Sequence, residues 1–411
     1  MKKEILKQYL QDFVRWLSVR TIKKYQPGVI AVTGTVGKTS TKEAIYTVLK
    51  KHRNVRASSG NFNNEFGIPL TILGDYIEIK GDYFWYKVAL VSILKLIFPF
   101  KYPELLVLEY AADKPGDIKY LLDIAKPQIS VVTAIGDIPV HVEAYSGREA
   151  VIREKSKVIE TLPATGFAIL NHDEVTVYNM KERTRAHIMS FGFNSDSQML
   201  ISNFEIRKED DRPIGIAFKL SYAGSFVPVR LNGAFGKSQA YAAAAAAAVG
   251  SVFGINLVKI ADALKDYEVV DGRGRIIPGV KQTLVMDDTY NASPLSMEAA
   301  IDTARSIEAP RKIAVLGDML ELGEFSTEAH ELIGRMVPKV FNILVTVGLR
   351  SKFIASAANE KGMAKKNIFS FDTAEGAQKE VQKLMKKGDL VLLKASHAIG
   401  LEKIVNEIKK I

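Results

Sequence analysis

Residues Ile30–Thr41 read IAVTGTVGKTST and are the most informative segment of the sequence. Its apolar start is typical of a buried strand, and after the glycines the chain continues into the helical pattern TKEAIYTVLKK. A loop in this position binds phosphate, because the backbone N–H groups at the helix start face the anion. Lys38 would place a positive charge beside the β- and γ-phosphates, and the Thr39 hydroxyl would hold Mg²⁺. The stretch therefore predicts an enzyme that uses a nucleoside triphosphate.

The spacing of this loop departs from the common Walker pattern, since Val32 stands five positions before Gly37, where that pattern has a glycine. A structural glycine turn is the alternative interpretation. The position between a strand and a helix favours nucleotide binding. The expected contacts to the nucleotide come from Gly34, Thr35, Gly37, Lys38, Thr39 and Ser40.

Composition limits the class of protein. The chain has 411 residues, of which 47% are hydrophobic and 25% charged, so it can bury two or three domain cores. It contains no cysteine, which excludes disulfides and thiolate chemistry. The start, MKKEILKQYLQDFVRWL, resembles a charged amphipathic helix and lacks the long apolar centre of a signal peptide. We expect a protein that is cytoplasmic, either free or peripheral to the inner face of the membrane.

The net charge is +10, which on its own would suit nucleic acid or an anionic membrane surface. However, the Lys and Arg residues are spread along the chain with Asp and Glu among them. This pattern favours a solvated basic surface and anionic substrates, and we expect no nucleic acid partner.

The order of apolar segments predicts an α/β fold. Runs that resemble parallel strands alternate with helical segments and end on polar or glycine residues, where such sheets bind ligands. Between about 165 and 232, short alternating strands predict a small antiparallel appendage on the first domain. Seven consecutive alanines in Tyr241–Val249 predict a helix that packs very closely on its neighbours. The stretch VVDGRGRIIPG (269–279) breaks the pattern and marks a domain boundary.

We therefore expect an N-terminal helix (1–27) and two α/β domains. The first (28–272) is a central P-loop ATPase domain with a mainly parallel sheet and the antiparallel appendage. The second (273–411) is a Rossmann-like α/β C-terminal domain.

Several blocks together carry a resemblance to a known family. The chain is similar to the Mur ligases, the ATP-dependent amide-forming enzymes of cell-wall precursor synthesis, and most closely to the type that adds D-alanyl-D-alanine. The GNxNNExGxP, DDxYNAxPxSM and GDMLELG patterns are the specific ones. The blocks run in family order as TGTVGKTSTKE (33–43), GNFNNEFGIPLTIL (60–73), LEYAADKPGDI (108–118), HVEAYSGREAVIREKSKVIETLP (141–163), DDTYNASPLSM (287–297), LGDMLELGEFSTEAH (316–330) and KASHAIGLEKIV (394–405).

The resemblance implies a two-magnesium site. Glu109 ends a buried strand, where an ionised carboxylate is costly unless it meets a cation. The family implies that Glu109 and Thr39 share the nucleotide-bound Mg²⁺ and that His141 helps to hold a second one. Lys155 aligns with the lysine that the family converts to a carbamate with CO₂, which makes it an anionic oxygen ligand. The alternative for His141 is a surface or hydrogen-bonded histidine. The alternative for Lys155 is an exposed helical lysine, because Lys157 stands where the family usually has an acid.

The resemblance also implies contacts from the second domain. Tyr290 and Asn291 would bracket the adenine or ribose, with a plain Asn turn as the alternative. Arg273 would reach the phosphates across the domain junction, and Arg275 remains an alternative. The family's GxHNxxNxxAA motif is changed here, so that only Gln239 retains an amide for the nucleotide. Asn64 is a further expected nucleotide contact, and the expected binders of the incoming amino-acid substrate are Asp318, Lys394, Ser396 and His397.

Two features depart from the family type. Its members carry an N-terminal domain that binds the UDP end of the precursor, whereas this chain begins almost at the helix before the phosphate loop, so its residues do not support recognition of a UDP-sugar. An apolar segment, FWYKVALVSILKLIFPF (84–100), precedes the Glu109 strand. It is too short to span a bilayer, which takes about 20 apolar residues. We expect either a buried helix or an interfacial helix that rests on lipid or on a partner protein.

The expected reaction transfers the γ-phosphoryl group of ATP to a carboxylate, with two Mg²⁺ ions and the carbamylated Lys155 at the site. The resulting acyl phosphate reacts with an amine, here a D-alanyl-D-alanine-like dipeptide, and the acceptor is a peptide-bearing carboxylate that is either UDP-linked or free. Closure of the two domains about a hinge near 270–280 would exclude water from the site. We expect the protein to be a monomer. The alternatives are an amide ligase for a folate, polyglutamate or pseudomurein-type acceptor, and a non-catalytic nucleotide-binding protein at the membrane.

Overall fold

The computed structural model describes residues 2–58, 60, 62–76, 78–81 and 83–410. Two β-sheets, one of nine and one of six strands, are flanked by helices. The first sheet holds strands from the first 232 residues, and the second holds strands from Arg275 onward. The predicted α/β fold with two sheets is confirmed, while the domain boundaries at 27 and 272 remain predictions.

The first sheet has the strand order β2-β3-β1-β4-β5-β6-β7-β8-β9. All neighbours from β2 to β7 pair in parallel, and β7, β8 and β9 form an antiparallel meander. The strands are β1 (Gly28–Thr33), β2 (Val55–Ala57), β3 (Leu105–Glu109), β4 (Ile129–Val132), β5 (Phe167–Asn171), β6 (His187–Gly192), β7 (Met199–Glu209), β8 (Arg212–Tyr222) and β9 (Ser225–Asn232).

The antiparallel part begins later than the sequence pattern predicts. Segment 167–192 contributes β5 and β6, which continue the parallel sheet instead of the appendage. Most of β5 is buried, as a strand covered by helices on both faces must be. The alternation of buried and more exposed positions that the sequence suggested for the whole region is found in β7, β8 and β9.

Helices cover both faces of this sheet, and α2 begins at the edge where the phosphate loop lies. They are α1 (Lys2–Tyr25), α2 (Lys38–Lys50), α3 (Gly67–Leu73), α4 (Phe84–Ile97), α5 (Asp117–Ile124), α6 (Arg148–Glu160), α7 (Val175–Tyr178), α8 (Lys237–Val252) and α9 (Leu257–Leu264). The alanine-rich helix α8 packs against α2 within one hydrophobic core, and Ala242–Ala248 are almost completely buried. A Cβ atom on Gly250 would lie only 3.0 Å from Val48, so small side chains are what allow this close approach.

The apolar segment at 84–100 forms α4, which is not a buried helix. Of its residues only Val88 and Ser92 are buried, and one face of the helix is open to solvent. Helix α4 packs instead on α1 and α3 through a small core that includes Val14 and Leu70. Among the described residues, no helix is long and apolar enough to cross a membrane.

The second sheet has the order β10-β11-β15-β12-β13-β14, and all neighbours except β10 and β11 pair in parallel. Its strands are β10 (Arg275–Pro278), β11 (Leu284–Asp287), β12 (Lys312–Gly317), β13 (Ile343–Val347), β14 (Ile368–Phe371) and β15 (Leu390–Lys394). Its helices are α10 (Pro294–Ser306), α11 (Ser326–Met336), α12 (Lys352–Glu360), α13 (Ala374–Leu384) and α14 (Glu402–Ile408). The ends of β11 and β15 carry residues that face the phosphate loop of the first sheet.

Candidate active site

The loop between β1 and α2 has the geometry of an anion site. Gly34 has φ +143°, and a Cβ atom there would lie 2.1 Å from the Thr133 hydroxyl oxygen, so only glycine fits. Gly37, at φ +85°, turns the chain into α2, and the amide of Thr35 donates to the Ala134 carbonyl at 2.6 Å. The first N–H groups of α2, which have no intrahelical partner, therefore face the cavity in front of the loop.

Lys38 is the cation at this helix start. Its Nζ donates to the carbonyl of Thr35 at 3.2 Å. Burial lowers the pKa of Lys38, and the carboxylate of Glu109 opposes that shift only in part. Burial makes the positive charge of Lys38 unfavourable, and Glu109 offsets this cost only in part. An anionic ligand at this place would therefore be favoured.

Glu109, at the end of β3, is buried with one carboxylate oxygen unpaired. Its Oε1 accepts a hydrogen bond from Asn63 Nδ2 at 3.0 Å, while Oε2 is buried without a partner. A buried carboxylate oxygen of this kind fits a cation. The described residues contain no group of three or more His, Cys, Asp or Glu that could bind a metal alone. A magnesium ion here would therefore need further oxygens, from the Thr39 hydroxyl and from phosphate.

The structure places Asn63, and not the predicted Asn64, beside Glu109. The side-chain oxygen of Asn64 accepts the amides of Phe66 and Gly67 at 3.2 and 3.0 Å and so caps the turn into α3. Its side chain is therefore occupied within its own turn, whereas that of Asn63 reaches Glu109.

His141 lies between carboxylates from both halves of the molecule. Its Nε2 is 3.3 Å from Asp113 Oδ1, and its Nδ1 is 2.7 Å from Glu321 Oε2, a residue of the GDMLELG block. Burial lowers the pKa of His141 to about 4, so the imidazole is neutral near pH 7, which is the form that binds metals. Neither carboxylate was expected from the sequence, because they lie in motifs far apart along the chain.

Lys155 is buried in α6 and is not the exposed helical lysine of the alternative interpretation. Burial, followed by the nearby charge of Lys38, lowers the pKa of Lys155 to about 7. The neighbouring Lys157 is half-buried and donates to Glu154 at 2.6 Å, while Glu154 also accepts the amide of Ile118. Lys157, at the position where the resemblance led us to expect an acid, thus forms a separate ion pair with Glu154.

Arg273 crosses from the second half of the chain to the phosphate loop. Its Nη2 donates to the Thr39 hydroxyl at 3.0 Å, and its guanidinium lies 3.9 Å from the ring centre of Tyr290. Its Nε is buried without a partner, which leaves one donor for a ligand. Arg275, the alternative, pairs with Asp271 at 2.6 Å outside this site.

Gln239 lies at the junction between the two sheets and forms two side-chain hydrogen bonds there. Its side-chain oxygen accepts from the Tyr267 hydroxyl at 2.7 Å, and its Nε2 donates to the carbonyl of Arg273 at 3.1 Å. These bonds occupy the amide that the sequence assigned to the nucleotide. Gln239 thereby fixes the backbone that carries the Arg273 side chain.

Lys394, at the end of β15, forms a buried ion pair. Its Nζ lies 2.7 Å from Asp288 Oδ2 and donates to the carbonyl of Asn291 at 2.9 Å. Burial lowers the pKa of Lys394, with Asp288 opposing the shift. The ring of His397 stacks on Tyr290 at a centroid distance of 5.9 Å. Lys394, Asn291, Tyr290 and His397 therefore gather at one edge of the second sheet.

Asp318 and Ser396 hold loops instead of lining this cavity. Asp318 Oδ1 accepts the amide of Ser351 at 2.7 Å, and its backbone carbonyl accepts the amide of Ser396 at 3.0 Å. The Ser396 hydroxyl oxygen accepts the amide of Leu320 at 2.9 Å. Both side chains thus hold in place the loops that follow β12 and β15, next to Glu321 and Lys394.

Two cavities meet at the loop. The smaller, of about 250 Å³, lies among Lys38, Glu109, His141 and Arg273, with Tyr290, Asn291 and Lys394 on its far wall. The larger, of about 790 Å³, shares Gly37 and Ser238 with it and extends toward Asn171, Asp173 and Tyr241. Polar residues of the segment NHDE (171–174), at the end of β5, line this second cavity. The sequence pattern predicted only a strand of the antiparallel appendage there.

Two family models match the chain. The Mur ligase middle domain matches residues 32–78 and 90–250, and the Mur ligase glutamate ligase domain matches residues 272–397. A UDP-N-acetylmuramoyl-tripeptide–D-alanyl-D-alanine ligase of Bacillus subtilis is 31% identical over 385 residues, which cover 92% of this chain and 75% of that protein. The ligase of the same name from Mycobacterium tuberculosis is 30% identical over 400 residues, covering 92% and 72%.

Solved structures agree with these matches. MurF from Acinetobacter baumannii has a TM-score of 0.79 at 26% identity, and the alignment covers 97% of this chain and 80% of that one. The MurF ligase of Thermotoga maritima in complex with ADP also has a TM-score of 0.79, at 27% identity, covering 97% and 83%. A folylpolyglutamate synthase of M. tuberculosis, at 15% identity and a TM-score of 0.68, shares the fold.

Proposed function

This chain belongs to the Mur ligase family and is an ATP-dependent ligase, and we propose that it joins the terminal carboxylate of a peptidoglycan precursor peptide to D-alanyl-D-alanine. The names of the relatives from Bacillus and Mycobacterium support this pair of substrates. The observation that carries the proposal is the convergence of Lys38, Arg273 and the unpaired oxygen of Glu109 on one cavity between the two sheets, with the charge of the buried Lys155 acting on Lys38 from behind it. Such a set fits the charge of a transferring phosphoryl group.

The nucleotide would occupy both cavities. Its triphosphate lies at the start of α2, where Lys38 and the loop amides of Gly34–Gly37 face the oxygens. Its nucleoside extends past Ser238 into the larger cavity. Tyr290 and Asn291 line the smaller cavity, so we assign them to the phosphate and ribose side of the nucleotide.

Magnesium fits this site because a buried Glu109 oxygen lacks a partner and the His141 ring is neutral. Where Mg²⁺ is bound, Glu109, the Thr39 hydroxyl and His141 would hold it, and it would draw negative charge from the transferring phosphoryl group. Arg273, whose Nη2 already contacts the Thr39 hydroxyl, would orient the same oxygens from the second sheet.

We propose that Lys155 carries a carbamate in the active enzyme. The reaction joins the neutral amine to CO₂ and releases one proton. With its pKa at about 7, about half of the Lys155 side chains are neutral at pH 7, whereas an ordinary lysine is almost wholly protonated. The carbamate would replace a positive charge beside Lys38 by a negative one, which favours both cation binding and the ionised form of Lys38.

The acceptor carboxylate attacks the γ-phosphorus, the bond between that phosphorus and the oxygen bridging to the β-phosphate breaks, and ADP leaves, so that the carboxylate becomes an acyl phosphate. The amine of the dipeptide then attacks the acyl carbon, the carbon–oxygen bond to phosphate breaks, and inorganic phosphate leaves. Lys394 and His397, at the edge of the second sheet, would hold the dipeptide carboxylate, while Asp318 and Ser396 order their loops. Closure of the two domains, 28–272 and 273–411, would keep water from the acyl phosphate.

The remaining assignments concern partners. We propose a monomer, and we propose that residues 84–100 contact a membrane surface or another protein, because the helix there exposes an apolar face. A non-catalytic nucleotide-binding protein is the weaker candidate, since it would have no use for Lys38 beside an unpaired carboxylate oxygen or for a second lysine, Lys155, buried near Lys38.

The substrates are tested by phosphate release against a panel of acceptors and amines. We expect ADP and phosphate only when UDP-N-acetylmuramoyl-tripeptide and D-alanyl-D-alanine are both present, with one ATP consumed per amide formed. L-Alanyl-L-alanine is the matched control for the amine, and a folate with glutamate is the control for the acceptor. Faster turnover of the folate pair would overturn the assignment to a peptidoglycan precursor while leaving the ATP chemistry in place.

A further inference from the structure

Helix α4 turns a regular apolar face to solvent. The exposed residues recur every three or four positions, as Tyr83, Tyr86, Leu90, Leu94 and Ile97, with exposed fractions from 39% to 82%. This is the spacing of one side of a helix. The opposite side, with Val88 and Ser92, is the one that packs on the protein.

Helix α1 shows a second exposed apolar stripe. Leu6, Tyr9, Phe13 and Trp16 follow the same spacing, and Leu6 and Tyr9 are each 70% exposed. The buried side of α1 carries Val14 and Leu17 in the core that it shares with α3 and α4. Its apolar surface is therefore divided between a packed side and an open one.

The two helices are neighbours, with their C-terminal ends together. Lys24 Nζ donates to the carbonyls of Lys95 and Phe98, both at 2.8 Å, and the Tyr25 hydroxyl donates to the same Lys95 carbonyl at 2.7 Å. The end of α1 therefore caps the last turn of α4. This contact holds the two helices as one unit on the surface of the first sheet.

Basic residues outnumber acidic ones in these two segments, although Lys7 and Arg15 of α1 pair with Glu65 at 3.8 Å and with Asp123 at 3.5 Å. No Asp or Glu occurs between 83 and 103, where Lys87, Lys95 and Lys101 are present. Over Lys2–Tyr25 seven basic residues stand against two acidic ones. Lys87 is exposed and makes no ion pair with any of the described residues. Arg20 continues the α1 stripe, with its guanidinium 5.4 Å from the ring centre of Trp16.

We propose that α1 and α4 together form a docking surface for an anionic lipid bilayer, which the protein contacts without crossing it. Apolar and aromatic side chains would enter the headgroup region while lysine and arginine meet the lipid phosphates. At 14 residues, α4 is about 21 Å long, short of a bilayer core of about 30 Å, so it lies along the surface. A second copy of the chain is disfavoured as the occupant, because it would bring the same excess of positive charge against itself.

This inference names the partner for the contact proposed at 84–100 and extends it to α1. Its test does not depend on ligase activity, so a failure of the proposed reaction leaves it standing. It also identifies the residues to change. Trp85 packs on the inner side against Phe66, with ring centroids 5.6 Å apart, and a polar residue there would disturb the core. Leu90 and Ile97 are exposed and can be changed without that effect.

The experiment uses the full chain with Trp85→Phe, which leaves Trp16 as the single tryptophan reporter. With vesicles of phosphatidylglycerol and phosphatidylcholine we expect a blue shift of Trp16 emission and quenching by brominated acyl chains. Binding should weaken as salt rises and should be weak on phosphatidylcholine alone, since the lysines contribute a screened attraction.

The variant Leu90→Ser/Ile97→Ser should weaken vesicle binding by about tenfold or more, because it removes apolar contact area. The matched control, Val258→Ser/Leu349→Ser, changes two residues that are each 69% exposed elsewhere and should bind as the parent does. Absence of binding to anionic vesicles by the folded parent overturns the proposal. So does an equal loss in the control, or self-association of the parent without vesicle binding that the Leu90/Ile97 variant abolishes.

Discussion

Lys38→Ala is expected to lower the rate of amide formation by about 10³-fold or more. The side chain is the half-buried cation at the start of α2, and in a site closed to water such a charge acts on the transition state far more than it would in solvent. The loss corresponds to about 4 kcal/mol of transition-state stabilisation. The measurement is the rate of ADP and amide formation at saturating substrates.

The fold of this variant should be unaffected. Since burial lowers the pKa of Lys38, its charge does not stabilise the unliganded protein, and the melting temperature should stay equal or rise. The control is Lys259→Ala, which removes an exposed lysine of α9 and should leave the rate unchanged. Amide formation by Lys38→Ala at the parent's rate would contradict the assignment of this loop to ATP.

Lys155→Ala is expected to be nearly inactive and to regain part of its activity when formate or acetate is added. A small carboxylate can enter the space left by the side chain and supply the oxygen ligands of the carbamate. The parent should also lose activity when CO₂ and bicarbonate are removed. This dependence should be strongest below pH 7, where protonation of Lys155, with its pKa of about 7, competes with carbamate formation.

The matched control for this variant is Arg153→Ala, on the exposed side of the same helix. It should keep the parent's activity and show no response to formate. Full activity of Lys155→Ala without added formate or acetate would show that Lys155 is only a buried structural lysine and would contradict the carbamate proposal.

The parts of the fold that follow from local pattern were predictable. The run IAVTGTVGKTST determines a strand, a loop and a helix within twelve residues, and the structure has all three at β1 and α2. The pairing direction of the strands in 167–192 was harder to predict, because a short apolar run has the same pattern in a parallel and in an antiparallel strand. The burial of β5 on both faces depends on helices from elsewhere in the chain.

Candidate site residues that lie within one sequence motif could be proposed from the sequence. Contacts between residues of two distant motifs could not. Glu109 and Lys155 could be named from the family pattern. The contact between His141 and Glu321 and the bond from Arg273 to Thr39 join residues more than a hundred positions apart. The resemblance implied that Arg273 reaches the phosphates, but no local pattern in the sequence specifies its hydrogen bond to Thr39 or the contact between His141 and Glu321.

The apolar segment at 84–100 shows the same limit. Its residues are apolar nearly all round, so periodicity alone could not tell which side of the helix faces the core. The side that packs is decided by α1 and α3, which supply Val14 and Leu70 to one face only. The open face of α4 therefore became visible only with the tertiary structure.

The central claim is that ATP activates an acceptor carboxylate that then becomes an amide. It is tested most directly by an acceptor whose terminal carboxylate carries the heavy oxygen isotope in both oxygens. We expect one heavy oxygen in each inorganic phosphate released and one in the carbonyl of the amide, because the acyl phosphate passes one carboxylate oxygen to phosphate. Release of phosphate without the label, at the rate at which ADP appears, would show that water and not the acceptor attacks ATP, and would contradict the account.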